Sequence, residues 1–288
     1  MAESSTRPKF GLDVPIGGDF ADAARLAELA ADAEAAGWDG FFVMDHLVRR
    51  QPWQAMIDPW IALTAVAVAT QKISIGPMVT PLARRRTAII ARQTATLDQL
   101  CGGRLLLGVG LGAPDGEFTR FGESADPKLR AEILDESLEL LQLLWSGEII
   151  TYHGEHEHAD EVQFLPRPTN GRVPIWVAGG WPSKPPFRRA ARYDGIWPIS
   201  RDRSGLTVDD FLECVAATTK FREQQGDDLS RPFDNCFTSR SPGPGDSQTI
   251  DKIGRLTEAG MTWWLEPLDV AELSYEQLQD RVVAGPPG

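Results

Sequence analysis

The sequence predicts an α/β protein of the (β/α)8 TIM-barrel class, with a short excursion between helix 4 and strand 5. Eight short apolar segments alternate with eight segments of helical periodicity, an order that is typical of parallel sheets. Polar, glycine-rich and aromatic residues follow the predicted strands, where barrels of this class place their sites. The composition does not shift along the 288 residues, so we predict a single domain over 1–288 with flexible ends at 1–8 and 284–288.

The predicted elements follow one another in a regular order. The strands are 10–15, 40–44, 73–76, 104–109, 174–178, 195–199, 232–239 and 261–266. The helices are 19–36, 59–70, 85–100, 127–145, 186–192, 208–225, 246–259 and 275–283. Asp19 and Asp58 are predicted helix N-caps, and Gly37 is a predicted C-cap. Segment 148–164 breaks the alternation and is predicted to be a small hairpin.

Charge and composition exclude several classes of partner. The net charge of −12 disfavours a nucleic-acid surface, which needs an extended basic patch. The longest apolar stretch, residues 60–69, is far shorter than the ~20 residues of a membrane span. The three cysteines are too few and too scattered for a disulfide framework, and no apolar leader follows Met1. We therefore expect a cytoplasmic protein that binds a small molecule.

The second predicted strand ends in Asp45 and His46, and His46 is the only histidine at a predicted strand end. A neutral imidazole takes up or releases a proton near pH 7, so His46 is a candidate catalytic or ligand-contacting residue with Asp45 beside it. The alternative is a structural histidine bonded to a backbone carbonyl.

Glycines follow the fourth and fifth predicted strands. Gly110 and Gly112 leave strand four, but they do not form a dinucleotide fingerprint because Asp115 occupies the position of its third glycine. After strand five, Gly179 and Gly180 precede a short basic segment. With Lys184 and Arg188 they form a candidate phosphate site; the alternative is a solvated basic helix.

Two further groups of residues attract attention. His153, His156 and His158 stand among acidic residues, but they lie in the excursion, away from the strand ends. We interpret them as a solvated surface and predict no metal site. Trp53, Trp181 and Trp197 fall in predicted loops or at strand ends and are candidate walls of a substrate pocket.

Four segments together resemble a known family. They are VMDH at 43–46, IGPMVTP at 75–81, ATLDQLCGGRLLLGVGLG at 95–112, and PIWVAGG with RRAARYDGIWP between 174 and 198. The chain resembles the bacterial luciferase-like superfamily of flavin- and deazaflavin-dependent oxidoreductases over nearly its whole length. The resemblance implies a TIM barrel whose strand ends hold a flavin-type ring.

The resemblance also assigns roles to individual residues. It implies a non-proline cis peptide at Pro77-Met78 or Met78-Val79, with Met78, Val79 and Thr80 near the ring. The ring also meets Gly110 and Gly112, and its phosphate lies on Gly179, Gly180 and the basic segment. Homodimers are common in the family.

The resemblance leaves the cofactor open between the deazaflavin coenzyme F420 and FMN. The Asp45-His46 pair is similar to the F420 branch, in which the histidine exchanges a proton during hydride transfer. The sugar-phosphate dehydrogenases of that branch carry a glutamate where this chain has Ala113 or Pro114, which argues against glucose 6-phosphate as substrate. The alternatives are an FMN-dependent monooxygenase that uses O2 and a non-catalytic flavin-binding protein.

Overall fold

The computed structural model describes residues 7–49, 55–201, 205–268 and 274–288. Its contacts divide the chain into two compact units. The first unit comprises Met1–Val14, Asp32–Phe42 and Trp176–Gly288, and the second comprises Pro15–Ala31 and Val43–Ile175. The single-domain organisation of the chain stays a prediction.

The first unit carries parallel strands. In spatial order they are β2 (Gly40–Val43), β1 (Lys9–Val14), β11 (Trp263–Pro267), β10 (Asp234–Thr238), β9 (Gly195–Ser200) and β8 (Ile175–Trp181). β1 pairs with β11, β11 with β10, β10 with β9, and β9 with β8, all in parallel. The helices are α6 (Pro185–Ala190), α7 (Val208–Gln224), α8 (Ser247–Glu258) and α9 (Tyr275–Val283). Parallel strands joined through helices are what the sequence predicts.

The second unit contains the other parallel strands and the excursion. The strands are β3 (Ser74–Pro77), β4 (Thr80–Pro81), β5 (Leu107–Gly110), β6 (Ile149–His153) and β7 (His158–Gln163). The helices are α2 (Pro59–Ala69), α3 (Thr87–Leu100), α4 (Gly116–Thr119) and α5 (Pro127–Trp145), while α1 (Ala23–Ala35) runs from this unit into the first. β4 pairs in parallel with β5, and β6 pairs antiparallel with β7. The predicted hairpin at 148–164 is confirmed.

An aromatic cluster fills one face of the sheet in the first unit. The rings of Phe42, Trp176 and Trp263 lie between 5.1 and 5.6 Å apart, centroid to centroid. Gly11 and Gly40 leave room for it, because a Cβ atom at either position would lie within 2.8 Å of the Phe42 ring. Glycine at these strand positions therefore allows close packing of large rings.

Helix caps and strand starts differ from the sequence-based expectation at two positions. The Asp58 cap is confirmed, since its carboxylate accepts from the amides of Trp60 and Ile61. The Asp19 cap is wrong: Gly18–Phe20 forms a 3-10 turn, and α1 begins only at Ala23. Asp22 takes the capping role, because its carboxylate accepts from the amide of Ala24 at 2.9 Å.

Arg104 lies outside β5, although we predicted it as the first residue of strand four. Its guanidinium donates to the carbonyl oxygens of Ala67, Thr70 and Ile73 at 2.7 to 3.0 Å. Ala67 is in the last turn of α2, and Thr70 and Ile73 follow it. Carbonyl oxygens at a helix end have no amide of a next helical turn to accept from. A cation at this end also matches the negative pole of the helix dipole. Arg104 therefore ties the end of α2 to the start of β5.

The C-terminal residues 284–288 are part of the described structure. The backbone carbonyl of Gly285 accepts from Arg281, and Gly285 and Pro287 are buried. No helix in the described ranges has both the length and the apolar character that crossing a membrane requires.

Candidate functional site

Asp45 follows β2 in the second unit and is held from several directions. Its side chain is fully buried, and both carboxylate oxygens accept hydrogen bonds. Arg85 binds it with two nitrogens at 2.8 and 2.9 Å, Arg84 donates at 3.0 Å, and the Thr80 hydroxyl donates at 2.9 Å. Asp45 thus anchors the segment after β2 to the segment after β3. The predicted roles of Asp45 in catalysis and of Thr80 in cofactor binding stay predictions.

His46 forms a pair with Glu117, a residue of α4. His46 Nδ1 lies 2.9 Å from Glu117 Oε1, and the Glu117 side chain is fully buried. The other carboxylate oxygen accepts from Arg84 Nη1 at 2.6 Å and from the amide of Leu47 at 3.3 Å. Arg84 therefore lies between two buried carboxylates, Asp45 and Glu117, and its own side chain is almost completely buried.

The electrostatic balance of this cluster keeps Glu117 ionised. Burial alone would raise the pKa of the Glu117 carboxyl. The hydrogen bond and charge of His46, the charge of Arg84 and the amide of Leu47 outweigh burial and hold that pKa below its usual range. Glu117 is therefore a carboxylate, which accepts hydrogen bonds and cannot donate them.

An ionised Glu117 determines how His46 is used. Because the carboxylate only accepts, His46 Nδ1 carries the hydrogen of the 2.9 Å contact. When the imidazole is neutral, its lone pair is on Nε2, and within the described ranges this atom makes no hydrogen bond. The imidazole side chain is 19% exposed, so part of the ring is open to solvent. A carboxylate that orients an imidazole in this way favours proton exchange at the outer nitrogen.

The predicted non-proline cis peptide is confirmed between Met78 and Val79. The Met78 amide donates to the carbonyl of Val43 at 2.7 Å, and the Met78 side chain is 3% exposed. A Cβ atom at Gly108 on β5 would lie 2.3 Å from the Pro77 carbonyl and 3.0 Å from the Met78 sulfur. Glycine at this position therefore lets β5 approach the cis peptide closely. That Met78 and Val79 contact a cofactor stays a prediction.

Of the two glycines predicted to meet the ring, Gly112 packs against other parts of the protein. Gly112 has φ +82°, and a Cβ atom there would lie 2.8 Å from Pro81 and 2.9 Å from the Phe118 ring. The space beside Gly112 is therefore filled by protein. Gly110 is the last residue of β5 and pairs with Pro81. Contact of either glycine with a flavin-type ring stays a prediction.

The candidate phosphate residues lie at the end of β8 and the start of α6 in the first unit. A Cβ atom added at Gly179 would lie 2.7 Å from the Cβ atom of Pro186, so this side of Gly179 is filled by protein. At Gly180 the nearest atom to an added Cβ is 3.9 Å away, so the space there is open. The ammonium of Lys184 lies 3.6 Å from the centre of the Trp181 ring, and the guanidinium of Arg188 lies 5.3 Å from that of Phe221. Phosphate binding by these residues stays a prediction.

The candidate pocket tryptophans have different surroundings. Trp181 is 8% exposed and packs edge-on against Phe187 at 5.2 Å. Trp197 is partly exposed and donates from Nε1 to the Thr238 hydroxyl at 2.7 Å. Trp53 lies outside the described residues. Of the three, Trp197 offers part of its ring to a ligand within the first unit, while Trp181 is largely covered.

The three histidines of the excursion lie in and beside the β6–β7 hairpin. The rings of His153 and His158 face each other across the hairpin, 4.3 Å apart, and His156 lies 3.5 Å from a carboxylate oxygen of Glu132. Within the described ranges no group of three or more histidine, cysteine or acidic side chains has a metal-binding arrangement.

Sequence reasoning did not identify Arg84, Arg85 or the pairing role of Glu117. One signal was present: residues 84–86 are three consecutive arginines between strand three and the helix that follows it, on the side where a barrel collects its site residues. Glu117 belongs to the resemblance, just beyond segment 95–112, but its partner was not predictable because His46 lies 71 positions away.

Comparison with known proteins bears on the family and the fold. The profile of the luciferase-like monooxygenase family matches residues 5–211. An F420-dependent glucose-6-phosphate dehydrogenase of Nakamurella multipartita is 35% identical over 199 residues, 66% of this chain and 56% of that protein. The chain thus matches little more than half the length of this relative.

Solved structures show the same fold. A coenzyme F420-dependent tetrahydromethanopterin reductase of Methanopyrus kandleri aligns with a TM-score of 0.77 and 17% identity, over 97% of this chain and 98% of that one. An F420-dependent secondary alcohol dehydrogenase, solved with an F420–acetone adduct, aligns with a TM-score of 0.79 and 18% identity, over 98% and 100%. At these identities the likeness shows the fold alone.

The alternating architecture and these structural neighbours define a TIM-barrel protein of the α/β class. With the profile match over residues 5–211, the chain belongs to the luciferase-like monooxygenase family.

Proposed function

We propose that this chain is a deazaflavin-dependent oxidoreductase that transfers a hydride to or from a small organic substrate, with F420 as its cofactor. The observation that carries the proposal is the His46–Glu117 pair, which occupies His46 Nδ1 at a strand end and leaves Nε2 without a hydrogen bond to any described residue. The name of the Nakamurella relative supports the choice of F420. When bound, the deazaflavin supplies the carbon centre that accepts or donates the hydride.

The chain's own residues hold and move a proton in this proposal. His46 accepts or returns a proton at Nε2, and Glu117 stabilises the imidazolium that forms. Arg84 and Asp45 keep Glu117 and the segment after β2 in place. The residues we propose for the cofactor are Met78, Val79, Thr80, Gly110 and Gly112 for the ring, and Gly179, Gly180, Lys184 and Arg188 for the phosphate.

The fit of a flavin-type group to the second unit is supported by local structure. The cis Met78-Val79 peptide follows β3, and His46 follows β2, so both lie after strands that end in this unit. The apolar Met78 side chain and the partly exposed imidazole offer the surface and the proton acceptor that a flat, redox-active ring requires.

An FMN-dependent monooxygenase is the second candidate, because the family profile that matches this chain is described as luciferase-like monooxygenase. A non-catalytic flavin binder is the third. The three differ in cofactor preference and turnover. Titration of the purified chain with F420 and with FMN, followed by fluorescence, tests the first choice; tighter binding of F420 supports it, and clear preference for FMN would overturn it.

His46→Ala tests catalysis separately from binding. We expect this variant to bind the cofactor and to lose turnover by about 10²-fold or more, because the proton-exchanging group is gone. His153→Ala, which alters a hairpin histidine, is the matched control and should keep full turnover. Full activity in His46→Ala would contradict the role of His46.

We also propose a homodimer in the cytoplasm. α2 is apolar on all sides, and Ile61 and Val68 on it are 67% and 66% exposed. Such a helix is expected to be covered by a partner. Cys101, Cys214 and Cys236 are free and buried, which suits a reducing compartment.

A further inference from the structure

A cavity of about 260 Å³ lies between α2 and α3, within the second unit. The residues that line it include Trp60, Ile61 and Thr64 of α2 and Gln93, Leu97 and Leu100 of α3. None of the lining residues takes part in the network around His46 and Glu117. The volume is below the roughly 300–1,000 Å³ of sites that hold drug-sized ligands, so the cavity suits a smaller molecule.

Most of the lining is apolar, and its other polar groups are already engaged. The Thr64 hydroxyl donates to the Trp60 carbonyl, on its own helix, at 2.8 Å. Arg92, a further lining residue, donates to the carbonyl of Leu165, and its guanidinium lies 4.3 Å from the centre of the Phe164 ring. Neither Phe164 nor Leu165 lines the cavity, so the charge of Arg92 is used elsewhere.

Two buried polar atoms of the lining residues have no hydrogen-bond partner in the part of the chain that the structure describes. They are Trp60 Nε1 and Gln93 Oε1. Trp60 as a whole is only 3% exposed. Trp145, in the same unit, shows the usual behaviour of a buried indole, because it donates to the Thr94 hydroxyl at 3.0 Å. Native proteins rarely leave such atoms unpaired, so these two require an explanation.

The two unpaired atoms have opposite polarity, which restricts what could satisfy both. An indole N–H only donates, and an amide oxygen only accepts. A hydroxyl group serves both, since its oxygen accepts from Trp60 and its hydrogen is donated to Gln93. A carboxylate, a ketone or an ether only accepts and would leave Gln93 Oε1 unpaired, while an ammonium group only donates and would leave Trp60 Nε1 unpaired. The pair therefore matches a neutral hydroxyl group.

We propose that this cavity is a binding site for a small neutral molecule that carries a hydroxyl group on an apolar ring, the chemistry of a phenol. The ring packs against Ile61, Leu97 and Leu100, and the hydroxyl bridges Trp60 Nε1 and Gln93 Oε1. The site goes beyond the oxidoreductase function proposed above and does not depend on it, because no lining residue is among those proposed for the cofactor or for proton exchange.

The test follows the indole N–H proton of Trp60 by NMR in the purified chain, labelled at the tryptophan indole nitrogens and free of cofactor. Trp60→Phe assigns the signal by its loss. We expect phenol at millimolar concentration or below to move this signal downfield, because the indole then donates to the phenol oxygen. Toluene, which has the same ring without the hydroxyl, is the matched ligand and should bind about tenfold more weakly.

Gln93→Met tests the acceptor, because it keeps the length of the side chain and removes the amide oxygen. We expect this variant to bind phenol about tenfold more weakly than the wild type and to bind toluene equally well. Gln142→Met changes an exposed glutamine of α5 that does not line the cavity, and it should bind phenol like the wild type. The Trp60 signal is present in both variants, and their other indole signals report whether they are folded.

Three results would overturn the proposal. A Trp60 signal that phenol leaves unmoved shows that the cavity takes no such ligand, as expected if a second copy of the chain fills it or an ordered water satisfies both atoms. Equal affinity for phenol and toluene, or equal affinity of Gln93→Met and the wild type for phenol, shows that the two polar atoms do not recognise the hydroxyl. Because no cofactor is present, failure of the F420 titration leaves this result untouched.

Discussion

His46 Nδ1 lies 2.9 Å from Glu117 Oε1, although the two residues are 71 positions apart in the chain. The pair is completed by Arg84, whose guanidinium binds Glu117 at 2.6 Å and Asp45 at 3.0 Å. The result is a network in which two buried carboxylates share one buried arginine, while the imidazole is partly exposed. This arrangement explains why the His46 side chain is partly exposed to solvent while the Asp45 side chain is fully buried.

Glu117→Gln is expected to reduce turnover by about 10²-fold, because a neutral amide stabilises the His46 imidazolium less well than a carboxylate. Steady-state kinetics with the cofactor that binds best would measure this loss. Glu123→Gln, at an exposed position in the same segment, is the control. If Glu117→Gln turned over as fast as the wild type, the pair would be structural only.

Arg84→Met is expected to destabilise the fold by about 3–5 kcal/mol, because it leaves Asp45 and Glu117 buried with one shared cation fewer. Urea unfolding would measure the change in free energy. Arg86→Met removes an exposed arginine two positions away and should change it by less than about 0.5 kcal/mol. Equal stabilities of the two variants would show that Arg84 contributes no more than a surface residue.

Asp13→Asn is expected to stabilise the fold at alkaline pH. Burial raises the folded-state pKa of the Asp13 carboxyl to about 7, above the ordinary value of 3.8, so the wild type loses stability as pH rises from about 4 through 7. The advantage of the asparagine variant should grow by about 2–3 kcal/mol between about pH 5 and about pH 8. Urea unfolding at the two pH values checks this; an advantage that did not change with pH would mean that Asp13 is ionised throughout.

Ile61→Glu combined with Val68→Glu is expected to convert the proposed homodimer into a monomer, because it places two charges on the exposed apolar side of α2. Light scattering coupled to gel filtration would report the mass. Leu212→Glu on α7 alters an exposed leucine, 45% accessible, and should leave the mass unchanged. A wild type that is monomeric at all concentrations would refute the dimer directly.

Several features of the fold could be predicted from the sequence because they depend on residues close together in the chain. The order of strands and helices follows from apolar periodicity, and the Asp58 cap follows from one carboxylate beside a helix start. The Asp19 cap was wrong because a glycine-rich turn at Gly18–Phe20 delays the helix, and a second aspartate at position 22 competes for its first amides.

The sequence by itself determined the α/β barrel class, the family resemblance, the position of His46 at a strand end and the cis peptide near Met78. Only the tertiary structure decided what these residues do for one another. It showed that Asp45 is enclosed by arginines, that Glu117 orients His46, and that one Asp13 carboxyl oxygen has no partner among the described residues. The physical reason is that periodicity and caps are local, whereas the charge and proton state of a buried group depend on residues that the fold brings from distant parts of the chain.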